Sequence, residues 1–167
     1  AQDTYYNCGP ASSQTVILAA TGNLIGEFEL GGMLGTTVNG TDYIGQFPAV
    51  LNAYINGAQY TYRDLPNYPD GDLKEQVWKD ISRSVRAGHG VIANIVAPPN
   101  NYPRGTRGSI SPAYGGGTIY HYIAVMGVCS GEGRHVWIAD SGFSPYGYWM
   151  SFDQLCTLIP PKGYAYS

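Results

Sequence analysis

The sequence predicts an α+β domain in which N-terminal helices pack against a C-terminal antiparallel sheet, and three observations carry that prediction. Helical spacing fills the first half: Phe47, Val50, Leu51, Tyr54 and Ile55 recur at i, i+3, i+4, i+7 and i+8, and Leu73, Val77, Ile81 and Val85 mark one stripe of a longer helix. Beyond Gly90 the pattern changes to short runs rich in β-branched and aromatic residues, at 91–96, 119–128, 135–139 and 164–166. Helices before strands argue for segregated layers, not for alternating parallel units. The 167 residues show neither an internal repeat nor a linker, and they suffice for one core, so residues 1–167 read as a single domain.

Taken in order, the first helix is expected over 11–20, with Gly9-Pro10 in its opening turn and Gly22-Asn23 at its end. From Val16 onward it is apolar on nearly every side, which places it in the middle of the fold, while Ala11, Ser12 and Ser13 let neighbouring backbone come close. A short second helix is expected over 27–34 and a third up to Asn56-Gly57. A strand follows over 58–63, then a long amphipathic helix over 72–87 that Gly88 closes. Residues 98–117, rich in Pro, Gly, Asn and Ser, are too long for a simple connection and read as a functional flap.

Composition excludes several functions. Nine Lys and Arg against twelve Asp and Glu give a net charge of −3, without a basic run able to neutralise successive phosphates, so nucleic acid is not an expected partner. The longest apolar stretches, around 16–20 and 123–126, fall well short of the ~20 residues of a membrane span. Charged residues make up 13% of the chain, which carries 23 Gly and 15 Tyr, a composition suited to an extracytoplasmic surface. The opening residues lack the charged and apolar segments of a secretion signal.

Three cysteines, Cys8, Cys129 and Cys156, cannot all pair within one chain, and Cys8 is the expected odd thiol. It stands where a helix begins, and the unpaired N–H groups of a first turn favour thiolate over thiol. A histidine partner is expected in His121, near the start of one strand, and an orienting carboxylate in Asp140, at the end of the next. A hairpin centred between Ser130 and Gly131 sets residues 121 and 140 directly opposite, with Cβ atoms about 4.5–5.5 Å apart. The carboxylate then fixes the imidazole tautomer, the imidazole takes the thiol proton, and the thiolate attacks an acyl carbon. Gln2 and the backbone N–H of Cys8 are candidate donors to the oxyanion. Tyr6, Asn7, Gly9 and Tyr120, which flank the thiol and imidazole in the chain, are the candidate substrate contacts.

At these residues the sequence resembles the papain-like cysteine peptidases, and more closely the double-glycine leader peptidases of bacteriocin exporters and their stand-alone relatives. The shared pieces are Gln2, six places before the cysteine; Asn7-Cys8-Gly9-Pro10-Ala11-Ser12; His121-Tyr122-Ile123-Ala124-Val125-Met126-Gly127; and Val136-Trp137-Ile138-Ala139-Asp140-Ser141. The segment 34–41 is also similar to the stretch between the second and third helices of those relatives. The resemblance implies a papain-like fold with Cys8 as nucleophile, His121 as base, Asp140 as orienting residue and Gln2 as oxyanion donor. Ser141 stands where the relatives often carry proline. Stand-alone domains of this kind occur at the front of phage lysins, notably those directed at mycobacteria. That setting implies a cell-wall peptide substrate, a site of action outside the cytoplasm, and a monomer needing no cofactor.

Blander readings stand beside these. Cys129 and Cys156 either form a disulfide tying the last helix to the hairpin or pack as free thiols. A metal held by Cys8, His121 and Asp140 is not implied, because close-spaced Cys or His pairs are missing. His89 reads as a turn residue, His135 as a solvated strand start, and Arg104 and Arg107 as solvated loop cations. Tyr5, Tyr6, Tyr102, Tyr114, Tyr120 and Tyr146 either line a peptide cleft or serve as sheet residues. The rival functions are acyl transfer or amide cleavage by the same thioester route, and a silent binding module with Cys8 locked in a disulfide.

Overall fold

A computed structural model describes residues 1–167. Helix α1 runs from Cys8 to Thr21 and ends at Gly22, whose φ of 77° lets its N–H turn back onto the Leu18 carbonyl. Helix α2 spans Glu27–Leu34. A turn of 3₁₀ helix at Ile44–Gln46 leads into α3, Phe47–Tyr54, which stops two residues before the expected Asn56-Gly57. Strand β1 is Thr61–Asp64. Helix α4, Gly71–Arg86, starts where the Asp70 carboxylate accepts the Leu73 N–H at 2.8 Å. Strands β2 (Val91–Ala97), β3 (Ile119–Cys129), β4 (His135–Ala139) and β5 (Gly147–Ser151) follow. Helix α5, Phe152–Leu158, and strand β6, Gly163–Tyr166, complete the chain.

The six strands form one antiparallel sheet in the order β1-β6-β2-β3-β4-β5. The α+β class holds, but helices and strands are interspersed: β1 precedes α4, and α5 sits between β5 and β6. The reason lies in the central strands. Six of the seven residues of β2 are buried, so both faces of the sheet need a cover. Helices α1, α2 and α3 supply one, packing Ile17, Leu34, Phe47 and Leu51 against Ile92, Tyr122 and Ala124. Helices α4 and α5 supply the other, packing Val77, Ile81 and Leu155 against Ile95, Ile123, Val125 and Ile138.

Two expectations about placement change. Helix α1 is buried mainly through its N-terminal half, Cys8 to Ser13, together with Val16 and Ile17, whereas Leu18 and Ala19 face solvent. Small side chains there let the helix press on β3, where the Ser12 hydroxyl donates to the Tyr122 carbonyl at 3.1 Å. The segment 98–117 is a strap fastened along the sheet edge, not a free flap. The Thr106 N–H donates to the Trp149 carbonyl at 2.9 Å, the Trp149 N–H to Ser109 Oγ at 2.9 Å, and the Arg104 N–H to Gln154 Oε1 at 2.9 Å. His135 holds the strap too, with Nδ1 on Thr106 Oγ1 at 2.9 Å and Nε2 on the Glu132 carbonyl at 3.1 Å, so this half-buried strand start is also fastened. Arg107 leans its guanidinium over the Trp149 ring at 5.4 Å.

Candidate active site

The helix carrying Cys8 begins against another part of the chain. The Ala11 N–H returns to the Asn7 carbonyl at 2.8 Å, and Pro10 needs no acceptor in the first turn. A Cβ on Gly9 would stand 2.5 Å from Thr41 Oγ1 and 3.1 Å from Phe47 Cζ. Only glycine lets the first turn approach so closely, so Gly9 has a packing role against Thr41 and Phe47. All three cysteines are free thiols. Cys8 is not locked in a disulfide, and Cys129 and Cys156 take the second of the two arrangements open to them. Burial raises the Cys156 pKa to about 12, which leaves that thiol inert.

His121 and Asp140 meet, though not in the expected register. Strand β3 pairs with β4 as Ala124↔Ala139 and Val125↔Ile138, and a bulge between Val125 and Gly127 shifts the rest to Val128↔Val136 and Cys129↔His135. Continuing the inner register places Asp140 beside Ile123, which makes His121 its diagonal neighbour on the same face. An imidazole and a carboxylate bridge that longer gap, and His121 Nε2 lies 2.8 Å from Asp140 Oδ1. The hairpin turn is centred on Glu132 and not between Ser130 and Gly131.

Asp140 is almost wholly buried, and each of its oxygens is occupied. Oδ1 also accepts the Gly142 N–H at 3.1 Å, while Oδ2 accepts the Tyr114 hydroxyl at 2.7 Å and the Tyr148 hydroxyl at 2.8 Å. Tyr114 comes from the strap and stacks on Phe143 with ring centroids 4.0 Å apart; Tyr148 comes from β5. Neither phenol was singled out from the sequence as a partner of Asp140. Tyr114 lies in an irregular segment without periodicity. In Gly147-Tyr148-Trp149-Met150 apolar residues occupy both parities, so the inward position of Tyr148 is hidden and β5 itself goes unread.

These contacts set the electrostatics. Burial raises the Asp140 pKa, but His121 and the two phenols lower it further, and the net direction is down. Burial lowers the His121 pKa, yet Asp140 and Cys8 outweigh it and bring it to about 9. For Cys8, burial pushes the thiol up, while His121 and the backbone N–H groups of Tyr122 and Gly9 pull it below its ordinary value. Cys8 and His121 line one cavity of about 190 Å³ together with Thr41, Asp42, Asn94, Tyr120, Tyr122 and Lys162. Nε2 is committed to Asp140, which leaves Nδ1 as the free ring nitrogen. A thiol so placed can ionise by giving its proton to the neighbouring imidazole, and it can attack an electrophilic carbon.

The other expected site residues divide. Tyr120 is exposed on the rim of the Cys8 cavity. Tyr6 and Asn7 lie elsewhere: they line a separate groove with Asp3, Glu27, Phe28 and Thr37 toward α2. The reason is the helix start, which turns the residues before Cys8 away from the sheet. Gln2 is fastened to the loop after β4. Its backbone N–H donates to the Ser141 carbonyl at 2.9 Å, its Oε1 accepts the Ser141 hydroxyl at 2.8 Å, and its Nε2 donates to the Thr4 carbonyl at 2.8 Å. Proline at 141 could not supply that hydroxyl. One amide N–H of Gln2 remains uncommitted.

A family model described as the Peptidase_C39 like family matches residues 1–156. The chain belongs to the Peptidase_C39 like family. That family lies within the papain-like cysteine-peptidase clan, and membership gives the chain catalytic potential. The comparison with curated proteins returned no match. For this member of the Peptidase_C39 like family, no helix is long and apolar enough to cross a membrane.

Proposed function

We propose that this chain is a cysteine peptidase that hydrolyses peptide bonds of bacterial cell-wall peptide through a thioester, in the setting of a phage lysin acting outside the cytoplasm as a monomer. The observation that carries the reading is the Cys8 thiol, depressed in pKa, in one cavity with an imidazole that Asp140 holds at 2.8 Å. Cys8 gives its proton to His121 and attacks the scissile carbonyl carbon. The Cys8 backbone N–H and the remaining amide N–H of Gln2 face the oxyanion. The imidazolium returns the proton to the departing amine as the C–N bond breaks, leaving a thioester on Cys8. Water then attacks the thioester with His121 again as base, releasing the acid and the free thiol. Family membership supports the peptidase class; the cell-wall substrate rests on the sequence resemblance to lysin domains alone.

The test is incubation of the chain with purified peptidoglycan, followed by mass spectrometry of the released fragments. The expected result is cleavage at one type of bond, each product pair together heavier than its parent by one water, with no product from Cys8→Ala. Identical digests for the two proteins refute the proposal.

A further inference from the structure

We propose that the cavity beside Cys8 continues into a substrate subsite for a zwitterionic group: a peptide residue that presents a carboxylate to Lys162 and an ammonium to Asp42 and Asp64. The inference rests on the peptidase reading above and names the substrate class of that same site. A second cavity of about 370 Å³ adjoins the first, and the two share Asp42, Asn94 and Lys162 in their walls. Together they form one polar trough that leads from the sulfur past Lys162 to Asp64, at the outer end.

The charges in this trough are unspent. The molecule's ion pairs are Arg63 with Asp80, His121 with Asp140, and Arg134 with Glu75; Lys162 and Asp42 belong to none of them. Two opposite charges in one trough that do not neutralise each other are complementary to a ligand carrying both signs. Both walls are also held in place before any ligand arrives. The loop bearing Asp42 is pinned where the Tyr122 hydroxyl donates to the Thr41 carbonyl at 2.9 Å. The turn bearing Lys162 is pinned where its N–H donates to the Ile159 carbonyl at 2.7 Å and its carbonyl accepts the Leu65 N–H at 2.8 Å. Asp64 is steadied by the Tyr43 hydroxyl at 2.9 Å. A Cβ at position 163 would clash with the Arg63 carbonyl oxygen and stand 3.0 Å from Asp64 Oδ1, so Gly163 lets β6 close on β1 beside that carboxylate. Buried Asn94, between the two cavities, supplies an amide for the peptide backbone.

The experiment uses four matched peptides around the bond found by digestion: one with a zwitterionic residue, one with its carboxylate amidated, one with its ammonium acetylated, and one with both blocked. Each blocked group is expected to lower kcat/KM by roughly twofold to fivefold, the range for charge pairs near solvent. Lys162→Gln should erase the penalty of amidation alone, and Asp42→Asn with Asp64→Asn that of acetylation alone. A second readout needs only the thiol: labelling of Cys8 by anionic, cationic and neutral methanethiosulfonates, followed by peptide mass. Lys162→Gln should slow the anionic reagent relative to the neutral one, and the Asp pair variant the cationic one. Equal kcat/KM for all four peptides, with labelling ratios unmoved by the variants, overturns the subsite. Charge-selective labelling without cleavage of any peptide overturns the cell-wall reading and leaves the subsite standing.

Discussion

Two buried carboxylates packed against the same sheet are built alike and do different things. Asp140 takes hydrogen bonds from two tyrosine hydroxyls, an imidazole and a backbone N–H. Asp80, on α4, takes them from the Tyr164 hydroxyl at 2.6 Å, Gln76 Nε2 at 2.8 Å and Arg63 Nε at 3.0 Å. In both, donors replace the water that burial removed. The difference is the partner. Arg63 keeps its proton at every working pH, and no nucleophile stands beyond it, so the Asp80 cluster only ties α4 to β1 and β6. His121 can give and take a proton, and a thiol shares its cavity. A buried carboxylate satisfied by hydroxyl, amide and guanidinium donors is a scaffold; in the proposed mechanism, a titratable partner with a nucleophile in the same cavity gives Asp140 its second role.

That contrast can be broken or sharpened in order of expected effect. Cys8→Ala should lower turnover by roughly 10⁴-fold or more, because the nucleophile is gone, while thermal unfolding followed by circular dichroism stays within a few degrees of the wild type. Asp140→Asn should cost roughly 10²–10⁴ in kcat by releasing the imidazole tautomer, with the protein still folded. If turnover survived at the wild-type rate, Asp140 would be a second scaffold carboxylate and the contrast would collapse.

Asp80→Asn should do the reverse. It leaves Arg63 without its counter-charge, and because that side chain is 35% exposed the loss is about 2 kcal/mol, less than for a fully buried pair. Calorimetry should register it as a fall in Tm of roughly 4–8 °C, with labelling of Cys8 by iodoacetamide unchanged in the folded protein. The two sites should also differ in pH dependence. His121 has its pKa raised from 6.5 to about 9, so the stabilisation from its protonated form is complete below 6.5 and fades as pH rises through 9. Peptidase turnover, which needs the imidazolium to protonate the leaving amine, should fall over the same upper limb. The Arg63–Asp80 cluster should give no such limb. Smallest of all, Tyr148→Phe should cost about 1 kcal/mol of stability, since Asp140 Oδ2 keeps the Tyr114 hydroxyl.

Much of this was legible in advance where chemistry is local. Helix α2 falls on its expected residues, as does β4, because capping glycines and apolar runs declare themselves within a few positions. Cys8, His121 and Asp140 were legible as candidates because each stands at or near the end of an element. Other features were not. Strand β5 carries apolar residues on both parities, so it shows no period of two. The strap at 98–117 has a loop's composition, and only its bonds to Trp149, His135 and Gln154 reveal that it is held. Tyr6 and Asn7 stand next to Cys8 in the chain but turn toward α2, which nearness in sequence cannot foretell.

By itself the sequence determined which groups this protein has for chemistry and which elements carry them, because periodicity, caps and side-chain type are written residue by residue. The tertiary structure alone decided how those groups meet: the bulge after Val125 that makes His121 and Asp140 diagonal partners, the phenols of Tyr114 and Tyr148 on one carboxylate oxygen, and the trough joining Cys8 to Lys162 and Asp42. Register, burial and the convergence of distant segments are properties of the packed chain. They follow from which apolar faces exclude water together, and no single stretch of sequence holds that information.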